Sequence, residues 1–168
     1  MALGKDYARQ NCSLARALEV VGERWTLLIL RDAFYGVRRF SDFSVHLDIP
    51  KAVLAARLHA LVDSGLLDKD GHDYVLTATG RELWPVVHML ARWGERHFTD
   101  GAPSRLFLHA DCGTRVDADG RCSVCRTYPT PDDLEIHPGP GMNPQGRDDA
   151  VAIALRKPHR LLTPIAAD

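Results

Sequence analysis

The sequence predicts a mainly α-helical chain with a small β hairpin, and three features of its first half predict it. Apolar helical segments come first, and in a later one Leu54, Leu58 and Leu61 recur at i, i+4 and i+7, the spacing of one buried helix face. Two short strand-like runs then flank Asp70-Gly71, a dipeptide that favours a tight hairpin turn. Helices followed by a two-stranded hairpin in this order indicate a winged helix-turn-helix domain.

The first two helices are expected to form the start of that domain. Ser13 is expected to begin the first helix, because its hydroxyl can cap the first turn, and Gly22 to separate it from the second. From Arg24 onwards the second helix is apolar on nearly every side, which predicts a buried helix in which Trp25 packs in the core. Gly36 is expected to end it.

A recognition helix is expected from Pro50 or Lys51 to about Ser64. Proline is tolerated at the first helical position, because the amide that it lacks would be unpaired there anyway. Gly65 follows as a left-handed stop. In a helix-turn-helix domain, this is the helix that enters the major groove of DNA.

A long helix from Thr77 to about Phe98 is expected to supply a dimer surface together with the first helix. Pro85 lies about two turns in, where it is expected to bend the helix. One small domain cannot bury the whole apolar stripe of this helix, so burial against a second copy predicts a homodimer. The stripe comprises Leu83, Val86, Val87, Leu90 and Trp93, with Met89 and Trp93 as candidate anchors.

Nine residues around the turn, the recognition helix and the hairpin are candidates for contacts with double-stranded DNA. They are Arg38, Arg39, Lys51, Ala52, Ala55, Ala56, Arg57, Lys69 and His72. Alanines offer only methyl contact or close approach, so specificity is expected to depend on DNA shape and on positioning by the arginines. The alternative is that Arg39 and Arg57 are solvated or paired with Asp42 and Asp63.

The charge of the chain does not by itself indicate a nucleic-acid partner. The net charge is -1 with a pI near 6.7, and residues 1–100 hold thirteen Lys and Arg against thirteen Asp and Glu. Asp68, Asp70 and Asp73 add negative charge to the hairpin, where it would repel phosphate. A second hypothesis is therefore a winged-helix module that senses a ligand or binds a protein, with weak or no DNA binding.

A cluster of cysteine and histidine residues predicts a structural zinc site in a small zinc-ribbon-like β hairpin. His109-x-x-Cys112 and Cys122-x-x-Cys125 are two steps of equal spacing, separated by nine residues. Three thiolates and one imidazole form a closed tetrahedral set without an open position for a catalytic water. His137 or a water could replace His109 as the fourth ligand. The alternatives are a reduced cysteine cluster and a Cys122–Cys125 disulfide.

Length and composition predict one main domain with a small appendage. Among 168 residues, 45% are hydrophobic and 26% are charged. We expect a winged-helix domain in residues 1–100, a zinc-ribbon-like segment in 101–128, and a Pro/Gly-rich extended tail in 129–168. No apolar run approaches the ~20 residues that span a bilayer, which predicts a cytoplasmic protein without a membrane partner. No nucleophile elbow, phosphate loop or carboxylate pair indicates an enzyme.

Five motifs follow one another in register: Cys12, LEVVGERWTLLILR in 18–31, RRFS in 38–41, LAARL in 54–58 and LTATG in 76–80. Together they resemble the HxlR family of bacterial transcriptional regulators, which is related to the MarR group. The resemblance implies a homodimeric winged helix-turn-helix repressor or activator, often responsive to oxidants, electrophiles or small aromatic inducers.

Two departures from the family pattern concern its functional residues. The hairpin loop is short, without the prolines and basic residues that the family usually has there. Cys12 corresponds to a cysteine that serves as a redox sensor in some members, and the adjacent helix dipole favours a thiolate. Asn11 and Ser13 flank it where many relatives have proline. The alternative for Cys12 is an inert, small apolar residue.

Overall fold

The predicted helices and hairpin are present in the first hundred residues of the chain. The computed structural model describes residues 6–7, 9–99, 102–143 and 145–165. The order of elements confirms a mainly helical winged helix-turn-helix. Its members are α1 (Ser13–Val21), α2 (Thr26–Phe34), α3 (Phe40–Leu47), α4 (Lys51–Asp63), β1 (Leu67–Asp70), β2 (Asp73–Leu76), α5 (Ala78–Arg81) and α6 (Trp84–Phe98).

The first helix α1 begins at Ser13 as predicted, whereas α2 begins at Thr26, two residues after the expected start at Arg24. Cys12, not Ser13, occupies the N-cap position of α1, and its side chain makes no capping hydrogen bond. Trp25 precedes α2 with a left-handed φ of 81° and is half-buried against the core. The centre of α2 is buried at Ile29 and Leu30, but Leu28 is exposed. Six of the nine residues of α2 are buried, so the prediction of a buried helix is confirmed except on the side of Leu28.

The recognition helix α4 begins and ends where the sequence predicts. Pro50 is its N-cap rather than its first helical residue, and Gly65 follows the helix with a φ of +70°. Leu54, Leu58 and Leu61 are all buried, as their spacing predicts. Burial of this single stripe sets the rotation of α4 and therefore decides which side chains face solvent.

The predicted long C-terminal helix is two helices. In α5 the Thr77 hydroxyl accepts a hydrogen bond of 3.0 Å from the Gly80 amide, and α6 then begins at Trp84. Pro85 thus lies in the first turn of α6 instead of bending the middle of a longer helix. Inside a helix, a proline ring clashes with the carbonyl four residues earlier. This clash does not arise here, because a new helix begins one residue before Pro85. Val87, predicted for the dimer stripe, is buried in the core.

The segment after residue 128 is not the extended tail that its prolines and glycines predict. It contributes to an antiparallel sheet in the order β4-β3-β5-β6 and carries a short helix α7. The bounds are β3 (Arg105–His109), β4 (Thr114–Arg115), β5 (Leu134–Pro138), α7 (Ala150–Ala154) and β6 (His159–Arg160). Alternating Leu134 and Ile136 are buried, and Pro138 falls at a strand end, where it removes no interior ladder bond.

The C-terminal sheet and the helices share one hydrophobic core. Phe107 of β3 makes an edge-to-face contact with Trp84 of α6, with ring centroids 5.0 Å apart. The Leu162 amide donates to the Phe34 carbonyl over 2.8 Å, and the Ile165 amide donates to the Gly36 carbonyl over 3.0 Å. The chain after β6 therefore lies across the end of α2. Among the described residues, no helix is both long and apolar enough to span a bilayer.

Candidate nucleic-acid interface and metal centre

The solvent face of α4 carries small and basic side chains. Lys51, Ala52, Ala55 and Ala56 are all exposed, opposite the buried leucine stripe. Three alanines in this position leave the helix backbone accessible to a closely approaching surface, and Lys51 places a cation at the helix start. The structure thus brings together four of the five predicted contact residues of this helix, the fifth being Arg57.

Arg57 is less available than the sequence suggests. Its Nη2 lies 3.2 Å from the Glu23 Oε2, and 27% of its side chain is exposed. Asp63, the partner considered from sequence, lies instead 3.2 Å from the Nε2 of His59. Arg57 therefore links α4 to the turn between α1 and α2. The alternative that Arg57 is ion-paired is correct, but its partner is Glu23 and not Asp63.

The two arginines before α3 have different surroundings. Arg38 is half-buried, and its Nη2 donates to the Leu162 carbonyl over 3.3 Å. The side chain of Arg39 is 66% exposed, and its Nε lies 3.9 Å from the Asp73 Oδ1. Asp42 accepts a hydrogen bond from Ser41 rather than from Arg39. Arg39 is thus the member of the pair that projects into solvent.

The hairpin packs beside the start of α3. The Tyr74 amide donates to the Arg38 carbonyl over 2.8 Å, which holds β2 against this corner. An open cavity of about 320 Å³ results, lined by Arg39, Phe40, Ser41 and His72. Sequence reasoning missed Ser41 as a surface residue next to the hairpin, because residues 41 and 72 meet only through this pairing.

Lys69 has an aromatic neighbour on the hairpin. Its ammonium lies 5.8 Å from the ring centroid of Tyr74 on the neighbouring strand, and its side chain is exposed. Lys69 and Tyr74 are cross-strand partners in the hairpin register. The contact holds the lysine along the strand, next to the exposed Asp68 and Asp70.

The four predicted metal ligands converge at the end of β3. The donor atoms of His109, Cys112, Cys122 and Cys125 all lie within 4.8 Å of one another. Gly113 has a φ of +67°, and its amide donates to the His109 carbonyl over 2.8 Å, so the chain turns sharply between the first two ligands. A tight turn with a left-handed residue needs glycine there.

The distances in the cluster fit a tetrahedral ion. With a Zn–S distance of about 2.3 Å, ligand sulfurs lie about 3.8 Å apart. The Cys112 Sγ is 3.5 Å from the Cys122 Sγ and 3.4 Å from the His109 Nδ1. The His109 Nε2 lies 3.7 Å from a carboxylate oxygen of exposed Asp111, which is longer than a hydrogen bond. These residues could hold a metal.

Hydrogen bonds within the cluster shift the pKa values of two of its thiols in opposite directions. Hydrogen bonds from the Thr114 side chain and backbone, and then from the other two thiols, lower the pKa of Cys112 to about 6. The hydrogen bond with Cys112 raises the pKa of Cys125 to about 11. Thiolates are the form that binds metal ions, so the low pKa of Cys112 suits this residue to metal binding.

His137, the alternative fourth ligand, and Cys12 are not part of the metal-ligand cluster. His137 is on β5, where its Nε2 is 3.1 Å from the Glu135 Oε2. Cys122 and Cys125 are free thiols. Cys12 is exposed at the start of α1, away from the cluster.

Comparisons with known proteins assign the chain to a family. A sequence model described as HxlR-like helix-turn-helix matches residues 20–101. An uncharacterized HTH-type transcriptional regulator of Mycobacterium tuberculosis, Rv3095, is 42% identical over 77% of this chain and 87% of its own. The chain belongs to the HxlR-like helix-turn-helix family. The crystal structure of PA1607, a proposed transcription factor, matches at 36% identity and a TM-score of 0.60, covering 70% of this chain and 89% of that one.

The HxlR-family assignment makes this protein a transcriptional regulator, as its named relatives are. The M. bovis relative Mb3122 shows the same 42% identity over 77% of the chain. The winged-helix match ends at residue 101, and 77% of the chain is more than its first 101 residues. The match to the mycobacterial relative therefore extends into the C-terminal sheet. This HxlR-family member is therefore similar to the mycobacterial proteins beyond its helix-turn-helix.

Another feature that sequence reasoning missed joins the metal-ligand segment to α6. His88 is buried on α6, and its Nε2 lies 3.1 Å from the Asp117 carbonyl, in the turn between the two ligand pairs. Burial lowers the pKa of His88. The histidine spacing on α6 gives no signal of this contact, because the partner is a backbone oxygen about thirty residues later.

Proposed function

We propose that this HxlR-family regulator binds double-stranded DNA as a homodimer, with α4 in the major groove. The observation that carries the proposal is the exposed face of α4, where Lys51 stands beside Ala52, Ala55 and Ala56. A helix with small side chains can approach base edges and methyl groups closely. Its few donors make the shape of the DNA the main source of specificity.

Arg39 is proposed as the main phosphate contact beside the recognition helix. It is the exposed arginine of the pair, and its neighbour Ser41 offers a hydroxyl at the first turn of α3. Phosphate contacts from arginine, serine and helix starts position a protein on the duplex. Arg38 and Arg57 are assigned a supporting role, because each already has a partner within the protein.

The dimer is proposed to form through α1 and α6. On α6, four large apolar side chains remain about half exposed: Val86, Met89, Leu90 and Trp93. On α1, Leu14 and Leu18 are also exposed. The four side chains on α6 recur at i, i+3, i+4 and i+7, and an exposed apolar stripe of this kind is typical of an interface. Two-fold symmetry would then place the two α4 helices about one DNA turn apart, ~34 Å.

Zinc is proposed to bind His109, Cys112, Cys122 and Cys125 and to have a structural role. The donor set is closed, so a bound ion would order the segment without offering a position for chemistry. Ligation would also hold the turn at Asp117 against His88 of α6. The support is the convergence of the four donor atoms.

Regulation by oxidants or electrophiles is proposed to act through Cys12. The thiol is exposed and stands at the first turn of α1, which is part of the proposed dimer surface. Oxidation of an exposed thiol adds polar atoms or a new partner there. A modification at this position could therefore change the packing of the two copies.

Retardation of the intergenic DNA upstream of the gene tests the proposed function. The full-length protein should retard this DNA at low salt, and affinity should fall steeply as salt rises. Replacing both Arg39 and Lys51 by Ala should weaken the complex, whereas Lys157→Ala, at an exposed C-terminal position, should not. If the folded dimer fails to retard this or any other DNA, the module without DNA binding becomes the better description.

A further inference from the structure

A basic cavity of about 170 Å³ lies between the helix-turn-helix and the C-terminal segment. Its basic lining residues are His46 of α3, Arg105 of β3, Arg147 of the chain before α7, and Arg156 just after α7. None of them belongs to the proposed DNA surface, the dimer stripe or the metal-ligand cluster. The cavity is therefore a separate feature of the fold, formed because the C-terminal segment packs on α3.

Hydrogen bonds hold two of the guanidinium groups at the wall of this cavity. The Arg105 Nη1 donates to the Leu155 carbonyl and lies 3.2 Å from the sulfur of Met142, which is itself a lining residue. The Arg156 Nη2 donates over 2.7 Å to the carbonyl of Arg147, another lining residue. Both guanidinium groups are thus placed by their contacts with the residues that form the cavity.

The third guanidinium, that of Arg147, is held beside His46. Its Nη2 donates over 2.6 Å to the carbonyl of Val45, the residue before His46. Its Nε donates over 2.9 Å to the Asp149 carboxylate, and the Nδ1 of His46 lies 2.8 Å from the other oxygen of that carboxylate. Three guanidinium groups, each from a different part of the chain, therefore meet around one small space.

The positive charge of these groups is only partly neutralised. Among the described residues, none that lines the cavity is acidic, and of the three arginines only Arg147 pairs with a carboxylate, that of Asp149. Three guanidinium groups against one carboxylate leave an excess of two positive charges. Burial also lowers the pKa of Arg105, because it disfavours a cation that has no counter-ion. A bound anion would supply the missing charge.

Donors remain available on each of these side chains. Hydrogen bonds among the described residues engage Nη1 of Arg105, Nη2 of Arg156, and Nε and Nη2 of Arg147. The remaining guanidinium nitrogens have no hydrogen-bond partner in the described part of the chain. Asn143 also lines the cavity, and because its Oδ1 accepts from the Gln145 amide over 3.0 Å, its Nδ2 is left as a further donor.

The size of the cavity and its donors together define the class of ligand. Pockets for metabolites usually measure about 300–1,000 Å³, so this cavity is too small for a nucleotide or a drug-sized molecule. A single phosphate group fits. Planar guanidinium groups bind phosphate oxygens through paired, charge-assisted hydrogen bonds, and several of them can share one tetrahedral anion.

We propose that this cavity binds a phosphate group through Arg105, Arg147 and Arg156. The group is held between α3 and the C-terminal segment, next to the pair formed by His46 and Asp149. Inorganic phosphate and a backbone phosphate of DNA share this chemistry, and the experiment distinguishes between them. Binding of the free ion does not rest on the proposed function.

Calorimetric titration of the full-length protein, without DNA and in a phosphate-free buffer, tests the proposal. Inorganic phosphate is the probe, and sodium chloride keeps the ionic strength constant, so that general screening of charge does not contribute. Phosphate should bind saturably, with one ion per chain and a Kd in the millimolar range or tighter. Sulfate should compete, because it is also a tetrahedral dianion.

Two variants locate the binding. Arg156→Gln removes one guanidinium, and Ala152→Glu places a carboxylate at a lining position, where it would neutralise the arginines from within the protein. Each should weaken phosphate binding at least about tenfold, the factor that one charge-assisted hydrogen bond contributes. Arg96→Gln, at an exposed position on α6, is the matched control and should bind phosphate as the wild type does. If Arg156→Gln does not fold, Ala152→Glu decides.

Gel retardation over a salt series identifies the source of the phosphate group. If the cavity takes the free ion, Arg156→Gln should retard DNA with the salt dependence of the wild type. If the cavity takes a backbone phosphate, the variant should lower the slope of log affinity against log salt by roughly one unit, and inorganic phosphate should compete with DNA.

Two results would overturn the proposal: no saturable binding of phosphate up to high millimolar concentration, or unchanged binding in a folded Arg156→Gln or Ala152→Glu protein. Failure of the protein to retard DNA would leave the titration unaffected, so this proposal and the proposed function fail separately.

Discussion

The His46 Nδ1 lies 2.8 Å from the Asp149 Oδ1, which joins the helix preceding α4 to the N-cap of α7. Both side chains are nearly buried, and Arg147 completes the contact by donating to Asp149 and to the Val45 carbonyl. The helix-turn-helix is therefore fastened directly to the C-terminal segment.

The first prediction concerns stability at acid pH. Burial alone would raise the pKa of Asp149, but hydrogen bonds from the Ala152 amide, Arg147 and His46 lower it to about 2. A carboxylate whose pKa is depressed by folding stabilises the protein above its unfolded value of about 3.9 and loses this contribution as the pH falls towards 2.

Asp149→Asn should therefore reduce the free energy of unfolding at neutral pH by on the order of 1–2 kcal/mol. It should also flatten the loss of stability between about pH 4 and 2. Urea unfolding across this pH range measures both. The exposed Asp148→Asn is the matched control. An unchanged acid limb in Asp149→Asn would show that this ion pair does not govern acid stability.

The second prediction concerns DNA affinity. Arg39→Ala should weaken binding to all sequences and lower the slope of log affinity against log salt by roughly one unit, as for one lost phosphate contact. Arg38→Ala should change the slope less, because Arg38 donates to the Leu162 carbonyl. Gel retardation over a salt series measures both. Equal slopes for wild type and Arg39→Ala would remove Arg39 from the interface.

The third prediction concerns metal. Cys112→Ser should lower bound zinc well below one ion per chain in protein purified without chelator, and elemental analysis measures it. Hydrogen exchange should rise in residues 105–128 and at His88, because the turn at Asp117 contacts α6. The buried face of α4 should stay protected. Full zinc content in the variant would disprove the ligand assignment, and Cys12→Ser serves as the cysteine control.

The fourth prediction concerns assembly. Trp93→Glu places a charge in the proposed interface and should give a monomer in sedimentation experiments at micromolar concentration. Ile153→Glu, an equally exposed apolar position on α7, should leave the dimer intact. A wild-type protein that sediments as a monomer would contradict the interface itself.

The fifth prediction concerns Cys12. If Cys12 is the sensor, Cys12→Ser should still retard DNA but should no longer respond to a thiol oxidant such as diamide. Zinc release by the same oxidant should be equal in wild type and variant, since the metal cluster lies elsewhere. A variant whose DNA binding remains sensitive to the oxidant would exclude the role.

Local pattern determined the helical half of this protein. The leucine spacing of α4, the glycine stops and the short hairpin turn each act within a few residues, so the sequence predicts their place. The ligand pairs around Cys112 and Cys122 are equally local, because a tight turn between two-residue-spaced ligands needs only its own residues. For the same reason, the solvent face of α4 follows from its buried face.

Long-range packing decided the rest. The sequence cannot show that Leu134 and Ile136 form a strand, because their burial depends on pairing with β3 some thirty residues earlier. Nor can it show that Arg38 and Arg57 have partners, since Leu162 and Glu23 reach them only in the folded chain. Closing such distant contacts costs chain entropy that only the whole core offsets. The availability of each arginine therefore belongs to the tertiary structure alone.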